Sequence, residues 1–188
     1  MNKQTYYDKL IKTVIEASEA KTWESAVCEW EIFDCEEDED CSTECICGHE
    51  GLKYLYTIRN RINGNILFPI GSSCIKKFER FDLNEKISIL EQMYNLLHAV
   101  DRGERIELTS KLFSSNLLLY FYKKGVFKPN YYNGFDSYND YEFMLKMFRK
   151  RNKNTISQDH HKKINAIIIK AIKPYLRETL KVRKRNGN

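Results

Sequence analysis

Two cysteines one residue apart, Cys45 and Cys47, and a third at Cys74 bracket an alternating apolar stretch centred on Asn63-Gly64. No other part of the chain constrains its fold as much. From Leu52 to Arg59 the residues Leu52, Tyr54, Tyr56 and Ile58 share one face at period two. Asn-Gly is a strong hairpin signal, because both central residues of a type I′ turn need positive φ. Ile66, Phe68 and Ile70 then alternate on the return strand. With Asn63 and Gly64 as the two loop residues, Ile62 faces Asn65 and residue 74 faces residue 53. Cys45, Cys47 and His49 lie a few residues ahead of that point, so one short loop gathers four side chains. Tetrahedral zinc takes four such nitrogen and thiolate ligands in a structural site. The spacing therefore predicts a structural zinc held by Cys45, Cys47, His49 and Cys74. His49 takes the fourth place because it continues the i, i+2, i+4 alternation from Cys45. Cys41, four residues before Cys45, is its rival. The competing reading is that these are ordinary reduced core cysteines, and Cys-x-Cys is tighter than the usual zinc-knuckle spacing.

A chain of 188 residues suits one compact unit. The expected organisation is α+β. Residues 1–81 form an N-terminal helix and a small antiparallel sheet holding the metal, and residues 82–188 form a helical body packed on it. Hydrophobic residues at 42% and charged residues at 30% give a globular balance. No stretch has the apolar length of a membrane span, and the start Met-Asn-Lys-Gln-Thr-Tyr-Tyr does not read as a signal peptide. A cytoplasmic location is the expectation, and six cysteines in a reducing compartment point to metal or free thiols before disulfides.

The net charge of +5 hides an asymmetry. Residues 1–50 carry 14 Asp/Glu against 4 Lys/Arg, a net of −10, and residues 51–188 carry 12 against 27, a net of +15. A dipolar molecule of this kind can steer a charged partner to one end. Thr5 to about Ala20 reads as an amphipathic helix through Leu10, Ile11, Val14 and Ile15. Ser25 to Asp34 reads as a strand that joins the hairpin. Cys28 and Cys35, on opposite faces of such a strand, take no joint role. The run Glu36-Glu37-Asp38-Glu39-Asp40 reads as a solvated loop, since five consecutive acids resist joint burial. It is either a plain surface loop or a lure that imitates phosphates for a basic groove. It lacks the glycine and bidentate Glu of a calcium loop.

Gly71-Ser72-Ser73-Cys74 is expected to open a short helix through Phe78, whose N-terminus favours a thiolate. The same glycine and serines form only a weak phosphate cradle. From Asp82, capped with Glu85, a helix runs to about Val100. Leu112 to Tyr122 predicts a central buried helix ended by Gly125. Phe127 to Asn139 predicts a loop whose Tyr131 and Tyr132 stack on bases, anchor a protein interface, or pack over the helices. Helices follow over Tyr141 to Lys150 and Ser157 to Ile172, broken or restarted by Pro174, with a basic stretch from Tyr175 to Arg185. Residues 128–188 hold 15 Lys/Arg against 5 Asp/Glu, a composition that suits phosphate contacts or a solvated face. His98, His160 and His161 make no nucleophilic pairing with a cysteine or acid. No enzymatic activity and no small-molecule substrate are expected.

The string CICGHEGLKYLYTIRNRINGNILFPIGSSCIKKF resembles a zinc-ribbon-like pattern of small proteins of phages, mobile elements and large viruses. The shared features are Cys-x-Cys with a following His, the Asn-Gly turn, and Gly-Ser-x-Cys-Ile-x-x-Phe. The whole chain also resembles type II-A anti-CRISPR metalloproteins in size, metal module and helical remainder. That resemblance implies binding to a type II CRISPR-associated RNA-guided nuclease, occupation of its recognition lobe, and hindered loading of target DNA. Glu36, Glu37, Asp38, Glu39, Asp40, Tyr131 and Tyr132 are the candidate contacts. The second reading is a zinc-ribbon accessory protein that binds nucleic acid directly through its basic C-terminal helices.

Overall fold

The structure, a computed structural model, describes residues 3–183. The fold is α+β, with helices and a four-stranded mixed sheet. It comprises two compact units, Met1–Ser88 with Lys181–Asn188, and Ile89–Leu180. The division thus falls after Ser88 rather than after residue 81, and a late segment belongs to the first unit.

The first unit begins with α1 (Lys3–Glu16), which buries Leu10 and Val14. Each such aliphatic contributes roughly 1.5–3 kcal/mol. The stretch expected to be extended from Ser25 is helical at first. It forms α2 (Trp23–Ala26) and a 3₁₀ turn over Val27–Glu29 before β1 (Trp30–Asp38) starts. The buried Glu29 carboxylate explains the delay. It accepts the main-chain N–H groups of Glu19 (3.0 Å) and Ala20 (2.7 Å) and the amide of Asn60, so residue 29 is fixed as an anchor for two turns. The fully buried Trp30 then donates its indole N–H to Ser18 Oγ at 2.9 Å, tying the end of α1 to the start of the strand.

β2 (Tyr54–Asn60) and β3 (Ile66–Ile70) form the expected hairpin, but not with the expected two-residue loop. Arg59 pairs with Ile66 and Ile58 with Leu67, two positions from the predicted register. The Asn60 side chain is the reason. Its carbonyl accepts from Ile62 (2.8 Å) and Asn63 (3.2 Å), and Gly64 N–H returns to Asn60 O at 3.1 Å, so the loop closes at Asn60. Gly64 holds φ of +77°, the left-handed conformation that selects glycine. A shift of two keeps each side chain on its predicted face. A bulge between Tyr56 and Ile58 then slips the pairing by one, so that Tyr56 faces Ile70. Leu55, Tyr56, Ile58 and Ile70 are fully buried, whereas Ile66 and Phe68 remain exposed.

α3 (Ser72–Lys76) follows where expected, with Gly71 as its N-cap, and α4 runs over Phe81–Asp101. β4 (Lys181–Arg183) lies parallel to Glu36–Asp38 of β1 and gives the strand order β3-β2-β1-β4. The basic stretch from Tyr175 includes a strand over Lys181–Arg183, and its end at residues 184–185 lies outside the described residues. The acidic run is no solvated loop, because Glu36, Glu37 and Asp38 belong to β1, with Glu37 and Asp38 buried. Strand partners on both sides and nearby cations make that burial tolerable. Arg183 pairs with Glu36 at 2.8 Å, and Lys53 pairs with Glu37 at 3.4 Å.

In the second unit, α5 (Ser115–Lys123) buries Leu117, Leu118 and Phe121. It starts later than the apolar run suggests because Ser114 caps it, accepting from Leu117 N at 3.0 Å. The predicted loop after Phe127 contains a 3₁₀ turn over Tyr131–Asn133, and α6 (Ser137–Arg149) begins within its expected span. α7 (Gln158–Ile167) passes through a π-turn (Ile168–Ile172) into α8 (Lys173–Thr179). Pro174 sits in the first turn of α8, where its missing N–H costs little.

Asp38 carries the sharpest energetic consequence in the first unit. Its carboxylate accepts hydrogen bonds from Thr43, Ser42 and Asp40, led by the Thr43 hydroxyl at 2.6 Å, and these hold its pKa below the usual carboxylate value despite burial. Asp38→Ala should lower unfolding free energy by about 2–4 kcal/mol in a urea titration, since it strands several buried donors. Glu39→Ala, at an exposed site, should change it by less than about 0.5 kcal/mol. The folded-state pKa of Asp38 is depressed, so its contribution is fully present above the ordinary Asp value of about 3.9. It is lost as pH falls through the lower folded value, and the difference between native protein and Asp38→Ala should shrink there.

Candidate metal centre

After β1 the chain turns through Cys41, whose φ is 49°, and folds back around the Asp38 carboxylate. Leu52 N–H donates to Thr43 O at 3.1 Å and closes the loop between them. Inside that loop Cys45 N–H donates to His49 O at 2.8 Å and Gly48 N–H to Cys45 O at 2.7 Å. This tight turn needs Gly48, whose φ is +95°. Ile46 N–H donates to Pro69 O at 2.9 Å, which docks the turn against the end of β3. α3 supplies the third cysteine from its first turns.

The result is a cluster of three thiols. Cys74 Sγ lies 3.7 Å from Cys45 Sγ and 3.5 Å from Cys47 Sγ, and all three sulfurs lie within 4.8 Å of one another. A disulfide would need about 2.05 Å. The spacing is that of ligand atoms around one centre, so the cluster can hold a metal ion. Cys45 and Cys47 are buried and Cys74 is half-buried. Main-chain N–H groups already point at the sulfurs, with Gly71 N 3.4 Å from Cys45 Sγ and the His49 N–H donating to Cys47. The hydrogen bond from Cys74, joined by those from the Cys47 and Gly71 N–H groups, brings Cys45 down to about 5 against the opposing effect of burial. The neighbouring Cys45 raises the Cys74 thiol, and burial raises Cys47. Such a group favours one thiolate without a cation and more with one.

The predicted ligands separate. Cys45, Cys47 and Cys74 come together, while the imidazole of His49 stands outside the cluster, exposed, edge-on to the Tyr6 ring at a centroid distance of 5.8 Å. Gly48 ends the alternation that would have carried His49 inward, and residue 49 serves through its main chain instead. Cys41 is also exposed and outside the cluster. No fourth Cys, His, Asp or Glu among the described residues joins the three sulfurs.

No protein-family model, curated protein or solved structure matches this chain.

Of the candidate partner contacts, only Glu39 and Asp40 of the acidic run are exposed. Tyr131 and Tyr132 are 79% and 83% exposed, with rings edge-to-face at 5.7 Å. Asp38 enters the site by an unexpected route, as the carboxylate that shapes the cysteine loop. Its signal was present in the sequence, since Asp followed by Ser-Thr four and five residues on suits a turn closed by side chain and main chain. Gly71 and Ile46 contribute main-chain N–H groups, for which side-chain pattern carries no signal.

Cys47→Ser should lose most bound metal in elemental analysis and lower the melting temperature by several degrees, because a small sheet is clipped there. His49→Ala should retain the metal at unchanged stoichiometry and leave the melting temperature within about 2 °C.

Proposed function

We propose that this chain is a zinc-structured protein that binds nucleic acid through its second unit, and that its metal centre serves folding rather than catalysis. Three soft thiolates suit zinc among common metals. At a Zn–S distance of about 2.3 Å, two sulfurs of a tetrahedron stand about 3.8 Å apart. The observed 3.5 and 3.7 Å need little adjustment to meet that value. Three thiolates also quench the Lewis acidity of the ion, which argues against a hydrolytic role.

The nucleic-acid reading rests on one observation, a set of exposed aromatics held out from a basic unit. Tyr131, Tyr132 and Phe135 are 79%, 83% and 71% exposed. Their loop is firmly built. Asn130 and Asn133 cap the turn reciprocally, and the buried Asn133 donates to Lys128 O (2.9 Å) and to Asp140 (2.8 Å). A loop this well braced does not leave aromatics in water for lack of order. The surrounding unit, residues 89–180, carries 16 Lys/Arg against 9 Asp/Glu, a net of +7. Exposed rings on a unit of net positive charge suit base stacking and phosphate contact.

The same rings favour a second reading, a protein interface anchored by Tyr131 and Tyr132, since tyrosine is enriched at binding hot spots. With the resemblance to anti-CRISPR metalloproteins, this reading points to a type II RNA-guided nuclease as partner. The acidic run offers it less than the bare sequence promised, because three of its five acids are committed to β1.

Elemental analysis should find one zinc per chain. In fluorescence anisotropy the protein alone should bind labelled oligonucleotides, with affinity falling linearly in log–log against salt. Failure to bind any nucleic acid, with co-purification of the nuclease, would transfer the function to the second reading.

A further inference from the structure

The outer face of α6 carries a groove of about 480 Å³ whose lining includes Tyr138, Tyr141, Leu145, Lys146 and Arg149. Its composition changes along the helix. Tyr138 and Tyr141 stand at the N-terminal end, and Lys146, Arg149 and Lys150 gather at the other. From residue 138 to 149 the helix advances about 16 Å at 1.5 Å per residue. The aromatic end is a built platform. Tyr141 stacks on Tyr122 of α5 with ring centroids 5.0 Å apart and planes at 21°, and Tyr138 meets both rings at 5.8 Å. Tyr138 is nevertheless 45% exposed, so part of its ring faces solvent.

The cationic end is largely unspent. Lys150 Nζ donates to Thr155 O at 2.8 Å, but Lys146 and Arg149 have no ion-pair or hydrogen-bond partner among the described residues for their side chains. Several other cations of this unit are engaged. Lys163 pairs with Asp140 at 3.1 Å, Arg177 with Asp101 at 2.6 Å, and Lys153 donates to Met147 O at 2.9 Å. Glu142 is the one carboxylate among the lining residues.

We infer that this groove is the path of a single-stranded nucleic acid, with a base on Tyr138 and phosphates at Lys146 and Arg149. The inference rests on the nucleic-acid reading above and specifies its surface and strand state. Charge complementarity selects a polyanion. The aromatic end selects one with unpaired bases, because a duplex keeps its π-faces stacked inside. A shallow groove beside one helix face also offers no base-edge readout, so recognition is by stacking and charge and tolerates sequence.

The test compares single-stranded and duplex DNA of about 20 nucleotides with the full zinc-loaded chain, by fluorescence anisotropy across salt concentrations. The double variant Lys146→Gln/Arg149→Gln, at two exposed sites, should weaken single-strand binding about tenfold or more. It should also flatten the salt slope by about 1.4, or about 0.7 for each phosphate no longer neutralised. Tyr138→Ser should weaken binding with the slope unchanged and with the melting temperature held within about 2 °C, while Tyr138→Phe keeps binding; a Tyr138→Ser protein that loses binding only along with its melting temperature would reduce the ring to packing and overturn its place in the groove. Binding unchanged in the double variant overturns the groove and leaves the nucleic-acid reading standing. Duplex bound as tightly as single strand overturns the strand assignment. Wild-type protein that binds neither overturns both.

Discussion

A buried carboxylate sets the path into the metal centre. Asp38 ends β1, and its oxygens gather the N–H and hydroxyl groups of the next turn, so the chain reverses at a defined place and delivers Cys45 and Cys47 to the end of the hairpin. From the other side Gly71 caps α3 and presents Cys74, while its own N–H points at Cys45. Neither side would hold without the apolar hairpin between them, where Leu55, Tyr56, Ile58 and Ile70 are fully buried. The order of dependence runs from strand to carboxylate to loop to sulfur. The three sulfurs this brings together could hold a metal ion, and such an ion would convert its binding energy into folding energy.

The features legible in the sequence share a physical property, in that each depended on neighbours within a few tens of residues. The hairpin brought three cysteines together because its faces survive a register shift of two, even though Asn60 displaced the turn that seemed fixed by Asn63-Gly64. The short helix carrying Cys74 followed from Gly-Ser-Ser, and the alternation of β2 from its own residues. Extrapolation failed at Gly48. Alternation counted through a glycine with positive φ assigned His49 inward, whereas a tight turn carries it out. The acidic run failed for the opposite reason, distance. Lys181 reaches Asp34 across 147 positions, and no local rule indicates that a basic strand will lie beside those acids.

Charge reads differently once it is counted by folded unit. Along the sequence it splits sharply at residue 50. In the structure the first unit holds 15 Lys/Arg against 17 Asp/Glu, close to balance, and the second keeps a net of +7. Much of the acidic character is spent internally, at Glu29, Glu37 and Asp38, where carboxylates organise turns and strand ends. The positive excess, by contrast, includes side chains on α6 with nothing among the described residues to neutralise them. An electrostatic partner is therefore sought on the second unit, not on the acidic stretch that first draws attention.

The parallel strand β4 has a consequence for how the molecule comes into being. β1, β2 and β3 leave the ribosome long before residues 181–183, with the whole of the second unit made in between. During that interval the edge of β1 lacks its final partner, and Glu36 lacks the cation that later pairs with it. The nascent sheet thus waits with one side unpaired, guarded only by its own negative charge against joining the wrong strand. Chain-ordered synthesis makes β4 a late seal on an early fold, and the loop it must close is among the longest the chain offers.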